Sequence, residues 1–565
     1  MDLGTLQRNE RRVLLLLTVV HGLLLLGSAC LHAPGIDELS HLPAGYVNTY
    51  GDFDPYCVNP PLIRMIAAQP LVWFGPQNLQ FFSVETQGRD RSEWRLAREF
   101  YERTPLSTYL TFFVLGRLML LPLSILGLFT CYLWSRELFG PLGGLFTGCL
   151  WCCSPNMIAH GSLLTPDMGA TVFGVLFWYA LWRALQDGLP RSSLGYLGLL
   201  LGLTILSKFT WLINLPLIAA AVLLFHGGAR RISNVWLKLI TIVGLAFVLI
   251  NACYGFQGTG RTLSQFSCVS EWMKELQSTK FAWIPLPVPA DMVRGIDLQK
   301  SDFEIGMPSY FCGVWQKTGW IQYYAVGILL KTPLPALIGF FIGLVSVVCH
   351  WRRREYRWTP LTIASTICIV LPGLSFLAFV SSQTGFNHHL RYVLPVYPFM
   401  YITAGASMTG GPLAARWLLG LGRKFWQRHL FRILVAAQLV MFVTVYPHCL
   451  SYFNFLAGGQ KHGHWYLINS NVDWGQDALL LIRWYEANRD KNLQGVHTVY
   501  PLQQLYPAAP PPPTAIKPGI YVYSKDKLHE SNHVARYFLL QQPVGRIGFS
   551  INIYEVTDTP KIVGN

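Results

Sequence analysis

The sequence predicts an α-helical protein that crosses a membrane many times and carries a small α/β domain outside it at the C-terminal end. Three observations predict this. First, 52% of the residues are apolar and only 13% are charged, whereas a soluble domain carries about 25% charged residues. Second, the apolar residues come in blocks near the roughly 17–25 residues that span a bilayer as a helix. Third, basic clusters fall in the short gaps between those blocks, the pattern that orients a membrane chain with its positive gaps in the cytoplasm.

The blocks read as about eleven spans, at 13–31, 107–134, 143–160, 168–186, 194–207, 211–226, 235–254, 322–349, 359–381, 392–410 and 430–447. The first follows Arg8, Arg11 and Arg12. It is long for the core of a secretory signal and has no clear small-x-small cleavage site, so it reads as a retained span. The fifth and sixth are short, either half-spans meeting at Ser207–Lys208 or tilted helices. The remaining basic clusters are Arg230–Arg231, Arg352 to Arg354 and Arg416 to Arg428. With a cytoplasmic N-terminus, the span count puts each cluster inside and the tail outside, so two independent signals agree.

Residues 1–447 thus read as a membrane domain with outer loops at 32–106 and 255–321, and residues 448–565 as the extracytoplasmic α/β domain. The first loop carries two expected interfacial helices, Pro60 to Phe74 and Ser92 to Arg103, which mix apolar and charged residues at helical spacing. The second loop, rich in Pro, Gly and aromatics, reads as irregular. In the tail, Gly519 to Ser524 and Ile547 to Val556 read as strands. Leu479 to Glu486 and Val534 to Leu540 read as helices, and Pro510 to Pro513 as a break. No internal repeat is evident.

Composition excludes several functions. The net charge of +15 is spread over the gaps between spans, and no separate basic domain suits nucleic acid. Twelve cysteines are scattered, several of them inside spans, such as Cys131, Cys149 and Cys253, against a zinc or disulfide framework. No Asn-x-Ser/Thr acceptor occurs, which favours a bacterial source over a eukaryotic secretory one.

The candidate chemistry lies on the outer side. Asp37 and Glu38 open the first loop directly after a span, where a charge is costly unless hydrated or used. A carboxylate there can act as general base on an acceptor hydroxyl or amine; the plain alternative is a solvated loop start. Asn59-Pro60-Pro61-Leu62 fixes the entry to an interfacial helix. Asp167, after Thr165-Pro166, sits at the outer end of the fourth span and has a helix-capping alternative. Lys331 lies within a span below its outer end, Arg391 at the mouth of the tenth span, and Lys208 between the two short spans. Such cations suit a phosphate, with snorkelling to the interface as the alternative. Acids that take protons and cations that hold phosphate on one face suit transfer of a group from a lipid phosphate, the phosphate leaving. No metal site is assigned: His388–His389 lack a further ligand at helical spacing, and a divalent metal is left open.

These residues resemble a known group. Asp37-Glu38 with His41 and Gly45, then Gly51-Asp52 and Asn59-Pro60-Pro61-Leu62, resemble the start of bacterial C-type membrane glycosyltransferases of the protein O-mannosyltransferase and aminoarabinose transferase superfamily. Thr165-Pro166-Asp167, Leu206-Ser207-Lys208-Phe209, Lys331-Thr332-Pro333-Leu334-Pro335 and Arg391-Tyr392-Val393-Leu394-Pro395 resemble its later signatures. The tail run Ser470 to Asp477 resembles a motif of a bacterial subset. The resemblance implies a glycosyltransferase with an inverting transfer outside the cytoplasm, from a polyprenyl-phosphate-sugar donor to a lipid, glycan or protein acceptor, in a bacterial inner membrane. It implies Asp37 as base beside Glu38, Asp167 assisting, and Lys331 and Arg391 on the lipid phosphate. Lys208, His41, Asn59, Tyr392 and Asp473 complete the expected substrate-binding set. In the tail motif, Asn471 or Asp473 is expected to cap the next helix and Trp474 to pack on the membrane-side surface. A secondary transporter, a lipid-linked oligosaccharide ligase with a diphosphate donor and a non-catalytic assembly factor stay open as alternatives.

Overall fold

The structure is a computed structural model that describes residues 9–75, 91–226, 232–351, 360–409 and 423–558. Arg8, Arg230–Arg231, Arg352 to Arg354 and Arg416 lie outside the described residues. The chain is a multi-pass membrane protein. Among the described residues, five helices are long and apolar enough to cross a membrane, or six if one bent pair is a single span.

Each expected apolar block is helical for most of its length, but several are not straight spans. The second and third blocks share one helix, Leu106–Cys152, which breaks at Gly140 (φ 80°) before Pro141. A left-handed residue followed by proline is a combination that glycine tolerates and other residues resist. The eighth block divides into Tyr323–Lys331 and Leu334–Cys349, bent by 114°. Pro333 cannot donate into the first helix, and it biases Thr332 toward the extended conformation seen there. Lys331 is therefore at a bend and not inside a continuous span. The two short blocks are Ser193–Ser207 and Asn214–His226, joined by an extended Lys208 and a 3-10 turn, Phe209–Ile213. Helix Tyr397–Gly405 follows a 3-10 segment at Leu390–Val396.

The loop between the first two blocks is more helical than expected. Its first residues, read as the start of a loop, form a helix, Ile36–Thr49. It packs on helix Leu62–Phe74 so closely that a Cβ on Gly45 would stand 2.0 Å from the Arg64 carbonyl oxygen. Small residues permit such backbone approach where apolar surface gains little from leaving lipid. Helix Glu93–Arg103 matches expectation. The second loop is corrected too: it contains helix Ala290–Ile305 and a hairpin of β1 (Ser309–Phe311) and β2 (Val314–Gln316). Its polar, low-amphipathicity sequence hid the helix.

The tail holds a four-stranded sheet ordered β3 (Leu493–His497), β4 (Gly519–Ser524), β6 (Ile551–Val556), β5 (Gly545–Ile547). The first pair is parallel and the others antiparallel. Helices Ala478–Ala487 and His533–Leu540 cover it. The expected 547–556 strand is a hairpin, and β3 was not foreseen. Before the sheet, Cys449, Tyr452, Phe453, Leu467, Val472 and Trp474 are buried in the same apolar core as Trp134, Trp151 and Trp178 of the membrane helices.

Candidate active site

A cavity of about 530 Å³ opens where the first loop, the turn at Lys208, helix Ala290–Ile305 and the Arg391 segment meet. Its polar end is lined by Asp37, His41, Asn59, Asp167, Lys208, Arg391 and Tyr392, together with Gln299, Lys300 and Gln383. Its other walls are apolar, including Phe209, Leu212, Ile213, Ile296, Phe303 and Phe379.

The polar end is one ion-pair network. Arg391 donates through one terminal nitrogen to Asp37 (2.5 Å) and through the other to Asp167 (3.2 Å). Lys208 pairs with the second oxygen of Asp167 at 2.5 Å. Asp37 and Asp167 both lie in the first turn of a helix, where the helix dipole favours negative charge. Arg391 Nε is buried and has no partner among the described residues. The guanidinium stacks on Trp474 at 4.2 Å, and Lys208 lies over the Tyr392 ring at 4.6 Å. Lys300, not anticipated from sequence, reaches the cavity beside Gln383. Three basic side chains thus face two carboxylates. Burial pushes the His41 imidazole down to about 3, so it lines the site as a neutral ring against Tyr56. Asn59 is placed by buried Arg64, which donates to the carbonyls of Asn59 (2.8 Å) and Tyr56 (2.5 Å).

Three expected site residues stand elsewhere. Glu38 faces the opposite side of its helix and is fully buried. It accepts from Arg117 Nε (2.8 Å) and Nη2 (2.7 Å), Leu164 N (2.7 Å) and Gly35 N (2.6 Å). Arg117 spends its other donors on the carbonyls of Ala29, His32 and Ala33. No lone pair of Glu38 remains for a substrate. Lys331 is buried away from the cavity and donates to the carbonyls of Leu450 (2.7 Å) and Asn471. Asp473 accepts from Gly475 N (2.9 Å) and Ser524 Oγ (2.5 Å). Burial pushes its carboxyl up to about 6, against those hydrogen bonds.

The tail motif acts differently from either cap or interfacial anchor. Asn471 accepts from Leu390 N (3.0 Å) and donates to Tyr323 and to the His388 carbonyl. Trp474 is buried, and the Arg391 guanidinium lies over its ring. The tail thereby sets the position of Arg391, a link no local spacing could reveal. His388 and His389 hydrogen-bond to the Pro308 carbonyl and Ser470.

Residues 113–254 match the family described as dolichyl-phosphate-mannose-protein mannosyltransferase. No curated protein matches the chain. Among solved structures it is similar to ArnT from Cupriavidus metallidurans bound to undecaprenyl phosphate, at 13% identity over 95% of this chain and 97% of that one, with a TM-score of 0.46. It is also similar to the oligosaccharyltransferase AglB from Archaeoglobus fulgidus, in complex with an inhibitory peptide and a dolichol-phosphate. That match has 12% identity over 91% of this chain and 70% of the other, with a TM-score of 0.41.

Proposed function

We propose that the chain is a membrane glycosyltransferase. It moves a sugar from a polyprenyl-phosphate carrier to an acceptor outside the cytoplasm, in a bacterial inner membrane with the N-terminus cytoplasmic. The observation that carries this reading is the cavity itself: a largely apolar cavity whose lining includes two carboxylates and three cations. A lipid chain fits the apolar walls and a phosphate the cations. The mannosyltransferase family match over 113–254 supports the same class.

In this reading Asp37 takes the proton of the acceptor nucleophile. The acceptor forms its bond to the anomeric carbon as the bond from that carbon to the phosphate oxygen breaks. The phosphate leaves with the electron pair, and Arg391, Lys208 and Lys300 stabilise its growing charge. An arriving phosphate competes with Asp37 and Asp167 for Arg391, and the unpaired Nε offers it a further donor. That exchange frees Asp37 to act as base. Asp167 stays on Lys208 and keeps the ammonium aimed into the cavity.

The test is transfer in proteoliposomes supplied with polyprenyl-phosphate sugar, comparing the chain with Asp37→Asn. Loss of product with donor binding retained is expected. Undiminished transfer would remove Asp37 from the base role. Uptake of sugar without any transfer product would replace the enzyme with a transporter.

A further inference from the structure

A second cluster lies apart from the cavity, where the first span, the last span and the tail converge. His32 ends the first span, His448 follows the last, and Asp477 begins the tail helix. One ligand atom from each lies within 4.8 Å of the others. We propose that His32, His448 and Asp477 form a zinc-type divalent metal site that clamps the tail to the start of the first outer loop.

The argument begins with His32. Its Nδ1 is 3.0 Å from the Ser28 carbonyl oxygen, which cannot donate, so Nδ1 carries the proton and Nε2 the lone pair. The residue is 9% exposed. Nε2 itself is buried and has no hydrogen-bond partner among the described residues. A buried acceptor without a donor is costly and uncommon, and a cation would satisfy it. A backbone carbonyl on the far nitrogen is also the usual way a metal-binding imidazole is oriented.

The other two groups fit the same purpose. His448 Nδ1 and Asp477 Oδ1 are 3.0 Å apart, close to the roughly 3.3 Å expected between ligands about 2.0 Å from one tetrahedral zinc. Asp477 is held from behind, its Oδ2 accepting from Ser550 Oγ at 2.8 Å. His448 is partly exposed, which gives the metal an entry path and a position for water. Two imidazoles and a carboxylate are borderline ligands suited to zinc. Arg117 lies nearby, but its charge is matched by Glu38.

The position gives the site a purpose. Between its ligands, Ala33 N donates to the Gln476 carbonyl (3.0 Å) and Ile36 N to the Trp474 carbonyl (3.1 Å). A metal here would lock that pairing one residue before Asp37 and at the tryptophan beneath Arg391.

The experiment measures metal directly and does not depend on the transferase reading. The full chain in detergent is stripped with EDTA, loaded with Zn²⁺ and freed of excess. About one tightly held zinc per chain is expected for a single site, with an X-ray absorption shell of nitrogen and oxygen. His448→Asn keeps a donor for Asp477 but is a poor ligand, and should weaken zinc binding by at least about 100-fold. His32→Gln should do the same, and Zn²⁺ should raise the melting temperature of the parent only. A parent chain that retains no zinc, a sulfur-containing shell, or full retention in either variant would overturn the proposal.

Discussion

Asp37 and Glu38 are adjacent, share one helical turn and carry the same charge, yet they end in opposite surroundings. Successive helical residues point about 100° apart. Asp37 turns into the cavity, where its side chain keeps 27% exposure and meets a single terminal nitrogen of Arg391. Glu38 turns into the core, where four donors saturate it. The difference separates a carboxylate with room for another partner from one whose lone pairs are all committed. Asp167, Lys208, Lys300 and Arg391 line the same cavity as Asp37, whereas Lys331 and Asp473, like Glu38, spend their hydrogen bonds within the fold.

The sharpest break of that comparison is a pair of isosteric changes. Asp37→Asn should lower transfer by about 10²–10⁴-fold, the usual contribution of a general base, with the thermal melt nearly unchanged because an amide oxygen still accepts from Arg391. Glu38→Gln should do the reverse. Leaving Arg117 buried without its countercharge costs about 3–5 kcal/mol, read as a fall in melting temperature. Transfer per folded molecule should persist; its loss in a fully stable Glu38→Gln protein would return Glu38 to the catalytic set.

A smaller effect concerns pH. The Asp473 carboxyl is raised by burial from 3.8 to about 6, so between those values the folded state binds more protons than the unfolded one. Stability from this group is therefore greatest below about 4, falls as pH rises to about 6, and stays low above it. Asp526, buried nearby, is also raised, by burial first and then by the Asp473 charge, and pulls the same way. Unfolding of the tail should become harder by about 1–3 kcal/mol on acidification through this window, and Asp473→Asn should flatten the profile. A profile unchanged by that substitution would show that Asp473 does not titrate as a buried group. The smallest effect is expected at Lys300. Lys300→Ala should raise the KM for the donor about 5–10-fold, or roughly 1 kcal/mol, with kcat little changed. A fall in kcat alone would place Lys300 at the transition state and not at the resting phosphate.

How much of this was legible in the sequence follows from the physics of each signal. Apolar blocks are long and uniform, so the spans could be found, as could Gly519–Ser524 and the helices near Leu479 and Val534. Asp37, Asp167, Lys208 and Arg391 were singled out because each is a charge at a membrane boundary, and the structure brings all four together. The same criterion selected Glu38 and Lys331 wrongly for the cavity, because a charge near lipid is equally conspicuous when it serves packing. What separates the cases is side-chain direction and distant partners: Arg117 for Glu38, and the Leu450 and Asn471 carbonyls for Lys331. Lys300 was missed because it sits in a polar stretch where one more lysine carries no cost. Gly140 and Pro333 show why the eleven blocks do not give eleven straight helices: a hydropathy window averages over single residues that redirect the backbone.

The partners of Lys331 have a consequence for how the chain is made. Its ammonium sits at a bend between two apolar helices, and both carbonyls that receive it come from residues synthesised more than a hundred positions later. Until Leu450 and Asn471 have been added to the chain, the lysine has no such acceptors, and a bare ammonium near lipid is costly. The half-made membrane domain should therefore stay loosely assembled and open to membrane proteases. Arrival of the segment that carries Leu450 and Asn471 would be the event that closes it.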